Sequence, residues 1–129
     1  MGPINWLAVI LAANLATAVA LVWHGPLFRM GKPMLDGTQR SKRYLTLVLV
    51  MLFAALMLGH LYARIGPATL AARPWIYFLQ AGGIPIAFIV PALWLAESRH
   101  DVPWRDRLIG AAYWVTAYLL MGAVFWVLQ

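Results

Sequence analysis

The stretch INWLAVILAANLATAVALVWHGPLF, residues 4–28, decides the fold of this chain. It runs for more than about 20 residues without Asp, Glu, Lys or Arg, which is long enough to cross a membrane as a helix. On a helical wheel the stretch has three faces, and the sequence predicts that it is the central packing helix of a bundle. One face is a row of small residues suited to close helix contact: Ala8, Ala12, Ala16 and Ala20. A second is a bulky stripe suited to lipid tails: Ile4, Leu11, Leu15 and Val22. The third is polar: Asn14, Thr17 and His24.

Composition extends this prediction to the whole chain. The 129 residues are 64% hydrophobic and 11% charged, whereas soluble domains are about 25% charged. Mean hydropathy is +0.77. Four apolar runs have spanning length: residues 4–24, 44–64, 75–96 and 107–128. They predict an all-α integral membrane protein in which residues 1–129 form a single up-down bundle of four transmembrane helices.

The third run is irregular. Pro85 and Pro91 each lack a backbone N–H, and a ring at either position crowds the carbonyl four residues earlier. The pair Gly82-Gly83 comes directly before the first of these prolines. We therefore expect the third helix to be kinked at Pro85/Pro91.

Charge distribution predicts the topology. The net charge is +6, and eight of the ten Lys and Arg residues lie in or beside residues 25–43 and 97–106. By the positive-inside rule these two loops are cytoplasmic and both termini lie outside. Basic residues beside spans contact anionic lipid, so we expect the lipid bilayer and no nucleic acid as a partner. The small-residue faces predict a homo-oligomer or a subunit of a larger membrane complex.

The sequence offers no recognised catalytic or metal-binding arrangement. It contains no cysteine, and it has neither a HExxH or GxSxG motif nor a Gly-rich phosphate loop. The first two spans run in opposite directions, so we expect His24 near the cytoplasmic face and His60 near the outer face. The two therefore cannot share one haem or metal within a monomer. We expect no metal and no cofactor.

Several polar residues lie within the apolar runs. Lipid cannot satisfy such groups, so they usually face the protein interior. They form either a candidate ligand-binding pocket or interhelical hydrogen bonds worth about 0.6 kcal/mol each: Asn14, His60, Gln80, Tyr113 and Tyr118. Ala55 and Gly59 add a small-xxx-small pair to the predicted packing surface.

The sequence leaves three classes of function open. The leading hypothesis is a non-catalytic membrane protein, either an accessory or assembly subunit or a binder of a lipid-like or hydrophobic ligand. One alternative is a small-solute channel or carrier formed by an oligomer, although no carboxylate lies well inside any span to couple transport to protons. A further alternative is a membrane enzyme or haem protein.

Short motifs near both ends of the chain carry a family resemblance. They are NWLAV at 5–9, WHGPLF at 23–28, PWR at 103–105, GAAYW at 110–114 and LLMGA at 119–123. In these segments the chain resembles small bacterial membrane proteins grouped as "domain of unknown function seventeen sixty-one". The resemblance implies a four-span integral membrane protein and implies no activity. We expect the protein in a bacterial cytoplasmic (inner) membrane.

Overall fold

The computed structural model describes residues 3–29 and 39–128, and within these it contains six α-helices and no strand. The α-helices are α1 (Trp6–Val22), α2 (Arg40–Ile65), α3 (Pro67–Ala72), α4 (Trp75–Ile84), α5 (Val90–Ser98) and α6 (Trp104–Val127). Four continuous helical segments are long and apolar enough to span a membrane: Trp6–Leu27, Arg40–Ile65, Trp75–Ser98 and Trp104–Val127. The predicted all-α architecture of four spanning helices is therefore confirmed. The middle of the predicted loop 25–43 lies outside the described residues.

The start of α1 is fixed by Asn5. Its side-chain oxygen accepts the N–H of Ala8 at 3.0 Å, as an N-cap residue does. Its Nδ2 donates to the carbonyl oxygen of Leu128 at 2.7 Å. One amide thus caps α1 and joins it to the end of α6, so both ends of the described chain lie at one end of the bundle. We call this the terminal end.

The first span continues past residue 24, where the apolar run of the sequence predicts its end. Helical structure continues as a π-helical turn, Trp23–Leu27, with Pro26 inside it. The N–H of Phe28 donates to the Trp23 carbonyl oxygen, five residues earlier, at 3.1 Å. In this wider turn donors reach one residue further back, so the chain can pass through a proline that lacks its own N–H.

A second π-helical turn, Pro85–Ile89, interrupts the third span between α4 and α5. The N–H of Val90 donates to the Pro85 carbonyl oxygen, again five residues back. The third span is therefore irregular directly after Gly82-Gly83, at the first of its two prolines. The kink at Pro85/Pro91 stays a prediction.

Helix packing follows the order of the chain. α1 packs against α2 and α6, and α4 packs against α6, whereas α2 and α4 touch only slightly. α5 packs on α6. The side of the bundle between α2 and the third span is thus loosely packed.

Two glycines set close helix approaches. A Cβ added to Gly59 on α2 would lie 2.9 Å from Val9 Cγ2 on α1, and one added to Gly122 on α6 would lie 2.7 Å from Ala81 Cβ on α4. Neither distance is tolerated by real side chains, so α1–α2 and α4–α6 can approach this closely only with glycine.

The connection between the second and third spans contains a helix that the sequence analysis missed. Gly66 has φ +90°, a left-handed conformation that favours glycine, and Pro67 begins α3 directly after it. α3 holds Leu70 at 3% exposure against the bundle. This short helix covers the terminal end of α2 and α4.

Candidate functional site

Two cavities lie at opposite ends of the bundle. The first, which we call the basic groove, has a volume of about 430 Å³ and is formed by α1, α2 and α6. It is lined by Ala20, His24, Lys42, Arg43, Thr46, Leu47, Val50, Met51, Tyr113 and Trp114. The second, which we call the aromatic pocket, has a volume of about 740 Å³ and lies at the terminal end. It is lined by Pro3, Ile4, Asn5, Gly59, Tyr62, Ala63, Pro67, Leu70, Ala71, Tyr77 and Phe125.

Tyr113 forms the floor of the basic groove. It is 3% exposed, and its hydroxyl donates to the carbonyl oxygen of Ala16 on α1 at 3.3 Å. The same hydroxyl lies 3.6 Å from the sulfur of Met51 on α2. One side chain of α6 therefore contacts both other helices of the groove, and its polar atom is satisfied within the protein.

His24 forms one wall, and the π-helical turn positions it. Its Nδ1 donates to the Ala20 carbonyl oxygen at 3.0 Å, and its ring meets that of Tyr113 edge-on with centroids 4.8 Å apart. A proton on Nδ1 leaves Nε2 as the atom that can contact a ligand. The adjacent Trp23 donates from Nε1 to the Ile109 carbonyl oxygen at 3.1 Å, which ties this turn to α6.

The mouth of the basic groove is strongly positive. Lys42 and Arg43 are exposed in the first turn of α2, Arg40 precedes them, and this turn contains no acidic residue. A helix N-terminus already carries a partial positive charge, so cations in the first turn are each unfavourable by about 0.3–1 kcal/mol. The same arrangement attracts an anion, because the unpaired backbone N–H groups and the side-chain charges act together.

Polarity therefore changes along the basic groove. Cationic side chains line the groove at the start of α2, and Leu47, Val50 and Met51 line it one to two turns further along the same helix. Thr46 bonds its own helix, donating from Oγ1 to the Lys42 carbonyl oxygen at 2.9 Å. The volume of the basic groove lies in the range of small-molecule sites, which is about 300–1,000 Å³. Its chemistry suits an amphiphile with an anionic head and an apolar tail.

The aromatic pocket differs because its polar atoms are used internally. The Tyr62 hydroxyl donates to the Tyr77 carbonyl oxygen at 2.8 Å, and the two rings are 4.7 Å apart. Phe125 packs on Tyr62 with centroids 5.2 Å apart. Among the described residues, its lining contains no charged side chain. Apart from Asn5 and the two tyrosines, this pocket is lined by apolar residues and glycine.

The polar residues predicted as one pocket are not brought together. Asn14 and His60 are exposed on the outside of α1 and α2, and Gln80 is half-buried on α4. Tyr113 and Tyr118 are buried on α6, and only Tyr113 lines the basic groove. The sequence rule that intramembrane polar groups face inward does not describe Asn14 and His60 in this bundle, and whether any of the five binds a ligand stays a prediction.

The residues predicted to pack helices are all buried. Five alanines have an exposure of 0%: Ala8, Ala12, Ala16, Ala20 and Ala55. Gly59 is buried as well and lies against Val9 and Phe125. Of the bulky stripe, Leu11, Leu15 and Val22 are exposed, and Ile4 is half-buried and lines the aromatic pocket.

Sequence analysis missed several residues of these cavities. Lys42 and Arg43 fall in a predicted loop, whereas in the structure α2 begins at Arg40 and both are part of a helix. Met51, Tyr62 and Tyr77 resemble many other apolar residues of the spans. A cluster of basic residues directly before an apolar run was the available signal. Among the described residues, no three His, Asp or Glu side chains come together as a metal site.

Comparison with known proteins gives one match. The model of a family described as "Protein of unknown function (DUF1761)" matches residues 7–126. That range contains all four spanning segments except for the last residue of α6 and the first of α1. No curated protein and no solved structure matches the chain.

Proposed function

Because the chain belongs to this family, whose description assigns no activity, we propose from the geometry of the basic groove that the protein is a non-catalytic membrane protein that binds a lipid-like anionic amphiphile. The observation that carries the proposal is the juxtaposition of Lys42 and Arg43 with an apolar cleft that ends at Met51. Phosphate or carboxylate of the ligand lies against the two cations and the first turn of α2, and its tail follows α2 into the bundle.

The membrane setting supports an amphiphile over a water-soluble anion. Thr46 and Val50 line the basic groove and are exposed on the outside of α2, so a ligand can enter laterally from the bilayer. Basic residues at the end of a span lie at headgroup level, where each contributes about 1 kcal/mol to the attraction of anionic lipid. Lys42 and Arg43 therefore lie at the same membrane depth as the headgroup of a bilayer lipid.

The core between the cavities supports a binding module rather than a pore through one monomer. Along α2, the basic groove reaches Met51 and the aromatic pocket begins at Gly59. Met51, Leu58 and Met121 are the largest wholly buried side chains of the bundle interior. Packed side chains of this kind separate the two ends.

Orientation and location belong to the same proposal. Most of the Lys and Arg residues belong to the loops at the end of the bundle opposite the terminal end. The positive-inside rule therefore puts the basic groove at the cytoplasmic leaflet and both termini outside. Bacterial cytoplasmic membranes contain anionic lipids on that side. A cysteine introduced at Gln129 is labelled from outside intact cells if the orientation is right, and one introduced at Arg105 is not.

Native mass spectrometry tests the ligand. The purified protein is presented with an equimolar mixture of phosphatidylglycerol and phosphatidylcholine in mild detergent. We expect preferential retention of phosphatidylglycerol, reduced roughly 30-fold in Lys42→Gln/Arg43→Gln because two contributions of about 1 kcal/mol are lost. Arg64→Gln/Arg73→Gln removes the same charge from the terminal end and is the control. Equal losses in both double variants, or no preference in the wild type, would contradict the proposal.

A further inference from the structure

α1 has one face that no other described helix covers. Its centre is formed by Leu7, Leu11, Asn14 and Ala18, all of which are exposed. Their spacing alternates between four and three residues, as in the contact seam of two helices that cross at a shallow angle. The remaining faces of α1 are occupied by α2 and α6.

Asn14 makes this face unsuited to lipid alone. It lies at the centre of α1, eight residues from either end of the helix, and therefore at mid-membrane depth. In the part of the chain that the structure describes, its side chain makes one hydrogen bond, from Nδ2 to the Ile10 carbonyl oxygen at 2.8 Å. An amide has a second N–H and a carbonyl oxygen. Lipid tails can satisfy neither of them.

We propose that this face binds the same face of a second copy of the chain, with Asn14 opposite Asn14 at a twofold axis. An amide is both donor and acceptor, so two identical amides satisfy each other, and a twofold interface brings identical residues together. Ala18, one turn further along, is small enough for the two helices to approach closely. Leu7 and Leu11 then pack across the other half of the seam.

The dimer is independent of the proposed ligand. Ala20 and His24, the residues of the first span that line the basic groove, lie more than 90° from the centre of the seam on a 100° wheel. Pairing through Asn14 therefore leaves the basic groove open. A failure of ligand binding would not affect this inference, nor would a monomeric protein affect the proposed ligand.

Disulfide cross-linking tests the dimer, because the chain contains no cysteine of its own. Leu11→Cys and Ala18→Cys are oxidised in native membranes and compared with Phe88→Cys, which is 72% exposed in the π-helical turn of the third span. We expect a species of twice the 14.4 kDa chain mass from the two seam positions and not from Phe88. Cross-linking at neither seam position, to a product of another mass, or equally at Phe88 would overturn the proposal.

Substitution of Asn14 tests the role of its amide. Dilution of fluorescently labelled protein in liposomes gives the dimerisation constant by energy transfer. We expect Asn14→Leu to weaken dimerisation roughly 5- to 30-fold and Asn14→Gln to retain most of it, since interhelical hydrogen bonds of model peptides have this size. Ala18→Leu, which separates the helices, should weaken it too. Asn14 and Ala18 are both exposed in the monomer, so we expect all three variants to fold. An unchanged constant in Asn14→Leu would overturn the proposal.

Discussion

The hydroxyl of Tyr113 lies 3.6 Å from the sulfur of Met51, and this contact joins α6 to α2 at the floor of the basic groove. The same hydroxyl donates to the Ala16 carbonyl oxygen on α1. α2 and α6 make few other contacts, so this is one of the few places where the two helices meet directly.

Removal of the hydroxyl tests its contribution. Tyr113→Phe keeps the ring and loses the hydrogen bond to Ala16, so we expect the free energy of unfolding to fall by about 0.6 kcal/mol, the mean for interhelical hydrogen bonds in membranes. Unfolding in detergent micelles with increasing sodium dodecyl sulfate measures the change. Tyr44→Phe, at an exposed tyrosine of α2, is the control and should leave stability unaltered.

Met51 and Met57 form a matched pair on α2, because the first is 1% exposed and the second 63% exposed. Met51→Ala leaves a cavity against Tyr113 and should destabilise the bundle by about 2 kcal/mol. Met57→Ala removes the same atoms from the outer surface, so we expect a change of less than about 0.5 kcal/mol. The same unfolding assay compares them. A larger loss at Met57 would show that the described helix faces are assigned wrongly.

Glycines of the third and fourth spans form another pair. Gly122→Ala places a Cβ 2.7 Å from Ala81 Cβ and 3.1 Å from the Tyr77 carbonyl oxygen, so α4 and α6 must separate. We expect a loss of about 1–3 kcal/mol, as for other overpacked contacts. At Gly83 a Cβ meets nothing within 4 Å. Gly83→Ala should therefore be neutral or raise the melting temperature, since alanine favours helix by up to about 1 kcal/mol.

The alanine row of α1 predicts a third contrast. Ala12→Leu and Ala16→Leu insert bulk at wholly buried positions, and each should lower the free energy of unfolding by about 1–3 kcal/mol. Leu15→Ala changes an exposed side chain of the same helix and should have little effect. Melting curves followed by circular dichroism measure all three. Equal effects from the buried and exposed positions would disprove the assignment of the faces of α1.

Hydrophobic run length and small-residue spacing were sufficient to predict the fold. Four runs of spanning length predict four helices, and the i, i+4 alanines of α1 mark its packed side because small residues let backbones approach. The π-helical turns were not predictable from the same pattern. Proline normally ends a helix, yet Pro26 lies inside the π-helical turn, whose first residue Trp23 packs on Phe28 with ring centroids 4.9 Å apart.

The candidate site was less predictable than the fold. A wheel orders residues around one helix but does not say which sector a neighbour covers. Asn14 thus lies at the centre of an uncovered face, although it is polar. His24 and Tyr113 meet because a π-helical turn extends the first span, and Lys42 reaches the basic groove because α2 begins four residues before the predicted span. Both placements depend on where helices begin and how their turns are wound, which a hydropathy pattern does not predict.

The position of a bound lipid distinguishes a specific site in the basic groove from unspecific contact with the apolar surface. A photoactivatable phosphatidylglycerol with a diazirine in its acyl chain is cross-linked in liposomes, and labelled peptides are mapped by mass spectrometry. We predict labels on α2 between Thr46 and Met51 and on α6 at Trp114, with competition by unlabelled phosphatidylglycerol and loss of label in Val50→Trp, which fills the basic groove. Label concentrated instead at Tyr62 and Leu70 in the aromatic pocket, or spread evenly over all exposed faces, would contradict the account.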